Sequence, residues 1–144
     1  MQKLDILDVK DWFEIADDDL YSAIELSKLH RKPFEIICYH CSQAVEKYLK
    51  GFLEYNNVPI EKTHDLVKLI SKCISLNPSF NDIRIECVFI NRFISQVRYQ
   101  SRGQIIETDM EYCLKYAEKI NLKIINLSNL MIFVLSYQMI MTII

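Results

Sequence analysis

The amino-acid sequence predicts an all-α protein that is built from a few long helices. Over most of the chain, apolar residues recur every three or four positions, which is the spacing of one helix face. Only two glycines and three prolines occur in 144 residues, so the chain offers few of the turns that many short strands require. Hydrophobic residues make up 51% and charged residues 25%, which is typical of a folded chain, and the length fits one domain spanning residues 1–144.

The first helix is predicted over residues 8–29, with Asp8 as its N-cap. Its apolar face comprises Val9, Trp12, Phe13, Ala16, Leu20, Ala23 and Ile24. The run Asp17-Asp18-Asp19 lies mostly away from this face. Three carboxylates suggest a metal site, but consecutive helical residues point about 100° apart and cannot converge on one ion. The run is therefore expected to face solvent.

The second helix is predicted over residues 33–56 and is expected to lie at the centre of the fold. Pro33 suits its first turn, and the turn signal Asn56-Asn57-Val58-Pro59 ends it. Gly51 disfavours a helix by about 1 kcal/mol relative to Ala, so we expect a neighbouring helix to approach closely there. Beside the apolar stripe of this helix runs a polar row: His40, Gln43, Glu46, Lys47 and Lys50.

The polar row has two interpretations. It can offer hydrogen-bonding groups to a partner molecule. Alternatively its charges pair within the chain, because Glu46 and Lys50 stand four residues apart and can form a modest ion pair on the helix surface.

Three further helices follow. The third begins with Thr63 as its expected N-cap and stops at Asn77-Pro78. The fourth is predicted over residues 80–101, where arginines recur. The fifth begins near Thr108, which is followed three residues later by Glu111, the spacing of a capping box.

The C-terminal segment is unusual because residues 124–144 carry no charge. About 20 apolar residues are needed to cross a bilayer, so a membrane anchor is one interpretation. Several polar residues within the segment and the lack of a basic cluster after it argue against an anchor. A helix buried in the bundle or in a homodimer seam is therefore preferred.

The cysteines and histidines give weak signals of chemistry. Cys38 and Cys41 have the spacing of half a zinc site, but no second close pair follows, and both fall on the apolar stripe. Buried thiols are the expectation, with no metal and no cofactor. His40 and His64 are possible general acids or bases, although a lone helical histidine is more often structural.

Charge and the N-terminal sequence limit the function classes. The net charge of −2 is not that of a protein that binds nucleic acid by bulk phosphate neutralisation, so any such site must be a local patch. Two glycines leave no Gly-rich phosphate loop. The first residues lack the basic flank and apolar core of a secretory signal, so a cytoplasmic location is expected.

Three segments of the chain together resemble the HEPN family of small helical-bundle proteins. They are Trp12-Phe13-x-x-Ala16-x-x-Asp19-Leu20-x-x-Ala23, Tyr39-His40-x-x-Gln43-Ala44-x-Glu46-Lys47-x-Leu49-Lys50 and Lys62-Thr63-His64-Asp65-Leu66-x-x-Leu69. The resemblance covers about residues 8–120 and leaves 121–144 as an apolar extension. It implies an up-and-down bundle of four to five antiparallel helices, a homodimer, a small nucleotidyltransferase partner, and association with nucleotides or RNA.

The chain departs from the ribonuclease members that it resembles. Those members carry an Arg, four to six residues, and then a His late in the bundle, whereas the last histidine here is His64. The pair Arg98-Tyr99 resembles the Arg-Tyr pair of the non-nuclease branch, with Gln100 in place of a proline. The resemblance therefore implies a binding module that is not catalytic by itself. A toxin-type ribonuclease with a degenerate motif is the alternative.

The candidate site residues follow from the polar row and the Arg-Tyr pair. For a nucleotide they are His40, Gln43, Lys47, Lys50, Arg98 and Tyr99, and two further polar candidates are His64 and Asp65. Phosphates are expected at the lysines and Arg98, with a base against Tyr99 or His40.

Overall fold

The structure is a computed structural model that describes residues 6–99 and 104–143, with side chains described at all of these except 6–8, 95–99, 128 and 130–139. This part of the chain forms five α-helices and one 3₁₀ helix, with no strand. The elements are α1 (Ile6–Ser27), α2 (Phe34–Tyr55), α3 (Leu66–Leu76), a 3₁₀ helix (Pro78–Ile83), α4 (Arg84–Tyr99) and α5 (Glu107–Ile143). The predicted all-α bundle is confirmed.

Helix α2 lies at the centre, as the sequence predicts, and contacts α1, α3, α4 and α5. Because neighbours surround it, 13 of its 22 residues are buried, including several polar ones. Helix α1 approaches closely at Gly51: a Cβ at this position would lie 2.6 Å from the Phe13 ring and 3.0 Å from Cβ of Trp12. The expectation of a close helix contact at Gly51 is confirmed.

All five cysteines are free and buried, which confirms the prediction of core thiols. Burial raises the pKa of the Cys73 thiol to about 12 and that of Cys41 well above its ordinary value. Thiols with such raised pKa values hold little thiolate at neutral pH, so they act as small apolar side chains and not as nucleophiles.

The start of α3 differs from the sequence-based expectation. Asp65, not Thr63, is the N-cap, and its carboxylate accepts hydrogen bonds from the backbone N–H groups of Val67 and Lys68 at 3.0 and 3.3 Å. The Thr63 hydroxyl instead accepts from the N–H of Asp65 at 3.1 Å. An ionised carboxylate is the better acceptor at a helix N-terminus, which explains the shift.

The fourth helix begins later than predicted, whereas the fifth begins within one residue of its predicted start but with a different capping pair. Asn77 accepts a hydrogen bond from the N–H of Ser79 and opens the 3₁₀ helix, so α4 starts only at Arg84. The predicted end at Ser101 lies outside the described residues. Helix α5 begins at Glu107, where the Asp109 carboxylate accepts from the N–H of Ile106, two residues before the predicted Thr108 to Glu111 box.

The predicted fifth helix and the uncharged C-terminal segment form one continuous helix of 37 residues. Ile124 is buried, Leu127 is half-buried, and Ile143 near the end is 82% exposed. The expectation of a tail buried within the bundle is therefore wrong for its last residues, and the homodimer seam stays a prediction. None of the described helices combines the length and apolar character needed to cross a membrane.

Candidate functional site

The polar row of α2 meets α1 through one carboxylate. Helical spacing places His40, Gln43 and Lys47 on the same side of α2. From α1, Asp19 reaches this side with a side chain that is only 16% exposed. Its Oδ1 accepts a hydrogen bond from His40 Nδ1 at 3.2 Å, and its Oδ2 pairs with Lys47 Nζ. Asp19 therefore fixes both groups in place.

The contact with Asp19 also sets the chemistry of His40. A carboxylate can only accept hydrogen bonds, so the Nδ1 atom that faces Asp19 carries the proton. In the neutral imidazole the other nitrogen, Nε2, is then the acceptor. The His40 side chain remains partly open to solvent. The pair is a carboxylate-oriented imidazole that can accept or donate a proton at Nε2.

A second carboxylate of α1 ties together three helices. The Tyr48 hydroxyl donates to Asp17 Oδ1, and Asn121 of α5 donates to the same hydroxyl at 2.7 Å and to Asp17 at 3.3 Å. Burial, reinforced by the adjacent Asp17 carboxylate, raises the pKa of Tyr48 well above its ordinary value. Tyr48 is therefore a neutral hydrogen-bond donor with a structural role.

The prediction that the run Asp17-Asp18-Asp19 faces solvent is thus right only in part. Asp17 and Asp18 are exposed and Asp19 is half-buried, but Asp17 and Asp19 also bind groups of α2. The sequence contains a signal for this difference, because Asp19 belongs to the first of the three segments that resemble the family. These contacts form two hydrogen-bonded sets, here together termed the polar network: Asp19 with His40 and Lys47, and Asp17 with Tyr48 and Asn121.

Glu46 and Lys50 lie deeper than the polar network. Lys50 Nζ donates to Glu46 Oε2 at 3.2 Å, and the two side chains are 8% and 5% exposed. His64, which is half exposed, donates from Nδ1 to the other carboxylate oxygen of Glu46 at 2.7 Å. Lys50 Nζ also lies 5.9 Å from the ring centroid of Trp12. The interpretation of Glu46 and Lys50 as a modest surface pair is wrong, because the pair is buried.

The structure therefore divides the candidate residues into groups. His40 and Lys47 meet at Asp19, while Lys50 and His64 meet at Glu46. Asp65 serves as the N-cap of α3, and Gln43 is half-buried on α2. Arg98 and Tyr99 belong to the last turn of α4, but their side chains lie outside the described part of the chain.

The electrostatics of α2 limit what this region can bind. The lysines of the row each face a carboxylate, Lys47 at Asp19 and Lys50 at Glu46. Paired cations attract phosphate less than free ones, so binding here depends on placed hydrogen-bond donors and not on excess positive charge. Within the described residues, no three His, Cys, Asp or Glu side chains gather as a metal would need.

Comparison with known proteins identifies the fold and the family. The family model described as the HEPN domain matches residues 9–126. The crystal structure of ST0689, an archaeal HEPN homologue, superposes with a TM-score of 0.65 and 23% identity, over 88% of this chain and 98% of that chain. No curated protein sequence matches the chain at a significant level. The structural likeness, at this identity, shows the shared fold.

Proposed function

Because the chain belongs to the HEPN domain family, we propose that it is a nucleotide- or RNA-associated binding module that acts as a homodimer with a nucleotidyltransferase partner. In this proposal it is not catalytic by itself, since its last histidine is His64 and the Arg-x4–6-His motif is missing from its sequence. Five free, buried cysteines support a reducing, cytoplasmic location. The binding role depends on one observation, the placement of Lys47 and His40 around Asp19.

The arrangement at Asp19 suits a phosphate better than the buried pair does. An ammonium group has three N–H donors, and the contact with Asp19 leaves two of them for a ligand. The Lys47 side chain is 20% exposed, whereas Lys50 is almost fully enclosed. Of the two lysines expected to contact phosphate, the proposal therefore keeps Lys47 and drops Lys50. Arg98 and Tyr99 complete the proposed site on the strength of the sequence alone.

Titration calorimetry with ATP tests the nucleotide site. A charge-assisted hydrogen bond contributes about 1.5–3 kcal/mol, so Lys47→Ala is expected to weaken binding about 10- to 100-fold. Lys10→Ala is the matched control, because Lys10 is an exposed lysine that pairs with Glu14 on α1. Absent ATP binding by the wild-type protein, or equal binding by both variants, would remove the nucleotide from the proposal.

The partner is tested by affinity purification of the tagged chain from its own cells. Recovery of a small nucleotidyltransferase in near-equal amount supports the two-component proposal. Recovery of the chain alone, when the tagged protein is expressed at the level of the untagged one, contradicts this proposal.

The oriented imidazole favours a second candidate function, a toxin-type ribonuclease with an unusual constellation. A carboxylate that fixes the tautomer of a histidine is the arrangement of many general bases, and Asp19 stands in that relation to His40. Growth arrest on expression, together with RNA cleavage that both His40→Gln and Asp19→Asn abolish, would establish it. Harmless expression of the wild-type chain would count against it.

A further inference from the structure

A small cleft lies between α1 and the last turn of α2, and none of its lining residues belongs to the polar network. Its volume is about 200 Å³, and it is lined by Asp11, Trp12, Ile15 and Glu54. The close approach of α1 at Gly51 brings Trp12 to this place, and Glu54 follows Gly51 by three residues, on the same side of α2. A cleft that combines an indole ring, an aliphatic side chain and two carboxylates suits a ligand with both apolar surface and positive charge.

The two carboxylates of the cleft have no cation of their own. Asp11 and Glu54 form no ion pair or side-chain hydrogen bond with any residue that the structure describes, and Glu54 Oε2 is buried without a hydrogen-bond partner. The lysines of the same two helices are used elsewhere, since Lys10 pairs with Glu14 and Lys50 belongs to the buried ion pair of α2. The cleft therefore keeps negative charge and acceptor capacity that a bound cation with N–H donors can satisfy.

The surroundings of the cleft also favour a cation. Helix α2 ends at Tyr55 with no basic residue in its last turn, so no side chain of that turn offsets the partial negative charge of the helix C-terminus. Helix α1 carries an excess of acidic over basic side chains. The indole ring of Trp12 is already in contact with one ammonium group, because Lys50 Nζ lies 5.9 Å from its centroid. Charge, helix dipole and ring thus act in the same direction.

We propose that this cleft binds an alkylguanidinium or alkylammonium group, with its charge at Asp11 and Glu54 and its apolar part against Trp12 and Ile15. A guanidinium suits the cleft best, because its planar fork donates to carboxylates and its face stacks on aromatic rings. A divalent metal ion is a poorer occupant, since Ca²⁺ takes six to eight oxygen ligands and the cleft offers two carboxylates. The inference goes beyond the proposed function and does not depend on it.

Tryptophan fluorescence tests the inference directly, because Trp12 is the single tryptophan of the chain. The full-length protein is titrated with butylguanidinium and with butylammonium, and a saturable change in emission is expected from both. Tetramethylammonium is the matched probe, since it carries the same charge without N–H donors and should bind more weakly than butylguanidinium. Collisional quenching does not saturate, and titration calorimetry measures the same affinities without the fluorophore.

Substitutions of the two carboxylates locate the bound group. Loss of one charge-assisted hydrogen bond corresponds to about a tenfold change in affinity, so Glu54→Gln and Asp11→Asn should each weaken butylguanidinium binding by about that factor. Glu25→Gln is the matched control, because Glu25 is an exposed acid of α1 that pairs with Lys28 and does not line the cleft. Two further probes distinguish the source of the group: tighter binding of N-acetylarginine methylamide than of agmatine assigns the cleft to an arginine of a partner protein, and the reverse order assigns it to a free amine.

Three results overturn the inference. The first is no saturable signal from either butyl probe up to about 10 mM, where even a site with a Kd of about 1 mM is mostly filled. The second is equal affinity of the wild type, Glu54→Gln and Asp11→Asn, and the third is equal affinity for tetramethylammonium and butylguanidinium. Circular dichroism confirms that each variant is folded, and Glu54→Gln should melt no lower than the wild type, because Glu54 has no described partner to lose. The proposed function is tested separately, since the ATP titration of Lys47→Ala and the partner purification do not involve the cleft.

Discussion

Replacing Lys50 by methionine separates a structural lysine from a ligand-binding one. The substitution keeps the length of the side chain but leaves the Glu46 carboxylate buried with His64 as its neighbour. Removal of one partner of a buried ion pair costs about 3–5 kcal/mol. Because His64 still donates to Glu46, we expect the lower end of that range, about 3 kcal/mol.

The expected shift in melting temperature follows from the chain length. Unfolding entropy is about 2.1 cal/mol/K per residue, or about 0.3 kcal/mol/K for 144 residues, so a loss of about 3 kcal/mol lowers Tm by about 10 °C. The control is Lys10→Met, which breaks the exposed pair Lys10–Glu14 with the same four-residue spacing and side chains 68% and 59% exposed. An exposed pair contributes about 0.3–0.5 kcal/mol, so Tm should fall by only about 1–2 °C.

A double substitution and a binding assay complete the experiment. Lys50→Met with Glu46→Gln removes both charges, and thermal unfolding followed by circular dichroism should show that most of the lost stability returns. The reasoning is refuted if Lys50→Met is no less stable than Lys10→Met while its affinity for ATP falls. Lys50 would then be a ligand of the phosphate and not a buried structural charge.

Three further predictions concern packing and acid stability. Gly51→Ala gains about 1 kcal/mol of helix propensity but forces Phe13 aside, and overpacking of this kind costs about 1–3 kcal/mol. Urea unfolding should therefore show a lower free energy of unfolding than that of the wild type. A higher value would contradict the close contact. Tyr48→Phe fits the same space but removes the hydroxyl that donates to Asp17 and accepts from Asn121, and it leaves Asp17 only the longer bond from Asn121, so the free energy of unfolding should fall by about 1–2 kcal/mol at an unchanged urea m-value. Hydrogen bonds from two lysines lower the pKa of Glu61 from 4.5 to about 2, so its contribution to stability is present above pH 4.5 and is lost as pH falls toward 2. An NMR titration should place the midpoint of the Glu61 carboxyl near pH 2. Between pH 4.5 and 2, the stability of Glu61→Gln should fall less than that of the wild type. A Glu61 midpoint near pH 4.5 would contradict this prediction.

The helices were predictable because their signals are local. The predicted second helix, 33–56, differs from α2 by one residue at each end, since Pro33 and Asn56 act within a turn of the boundary. The predicted N-cap of α3 was wrong because two suitable acceptors, Thr63 and Asp65, lie two residues apart and the prediction took Thr63. Such a choice depends on which side chain reaches the free N–H groups, and both residues have suitable chemistry.

The partners of the polar row were not predictable from one helix. Sequence spacing reveals contacts within a helix, such as Glu46 with Lys50, but not that the pair is buried. The contacts that change the chemistry of the polar row come from other parts of the chain. His64, in the loop before α3, contacts Glu46, and Asp19 of α1 contacts Lys47. Long-range pairing decides whether a lysine is available to a ligand, and hydropathy does not encode it.

The length of α5 explains why the interpretation of its tail failed in part. At 1.5 Å per residue its 37 residues extend about 55 Å, whereas the 22 residues of α1 or α2 extend about 33 Å. Helices of that length cannot cover the whole of α5, and the family match ends at residue 126, close to Leu127, the last half-buried position among the side chains that the structure describes. A bundle-core helix was inferred from apolar character, which measures the preference for burial but not the reach of the neighbours. A homodimer seam is still compatible with the length of α5, because a second copy of the chain can cover the part of a helix that extends beyond its own bundle.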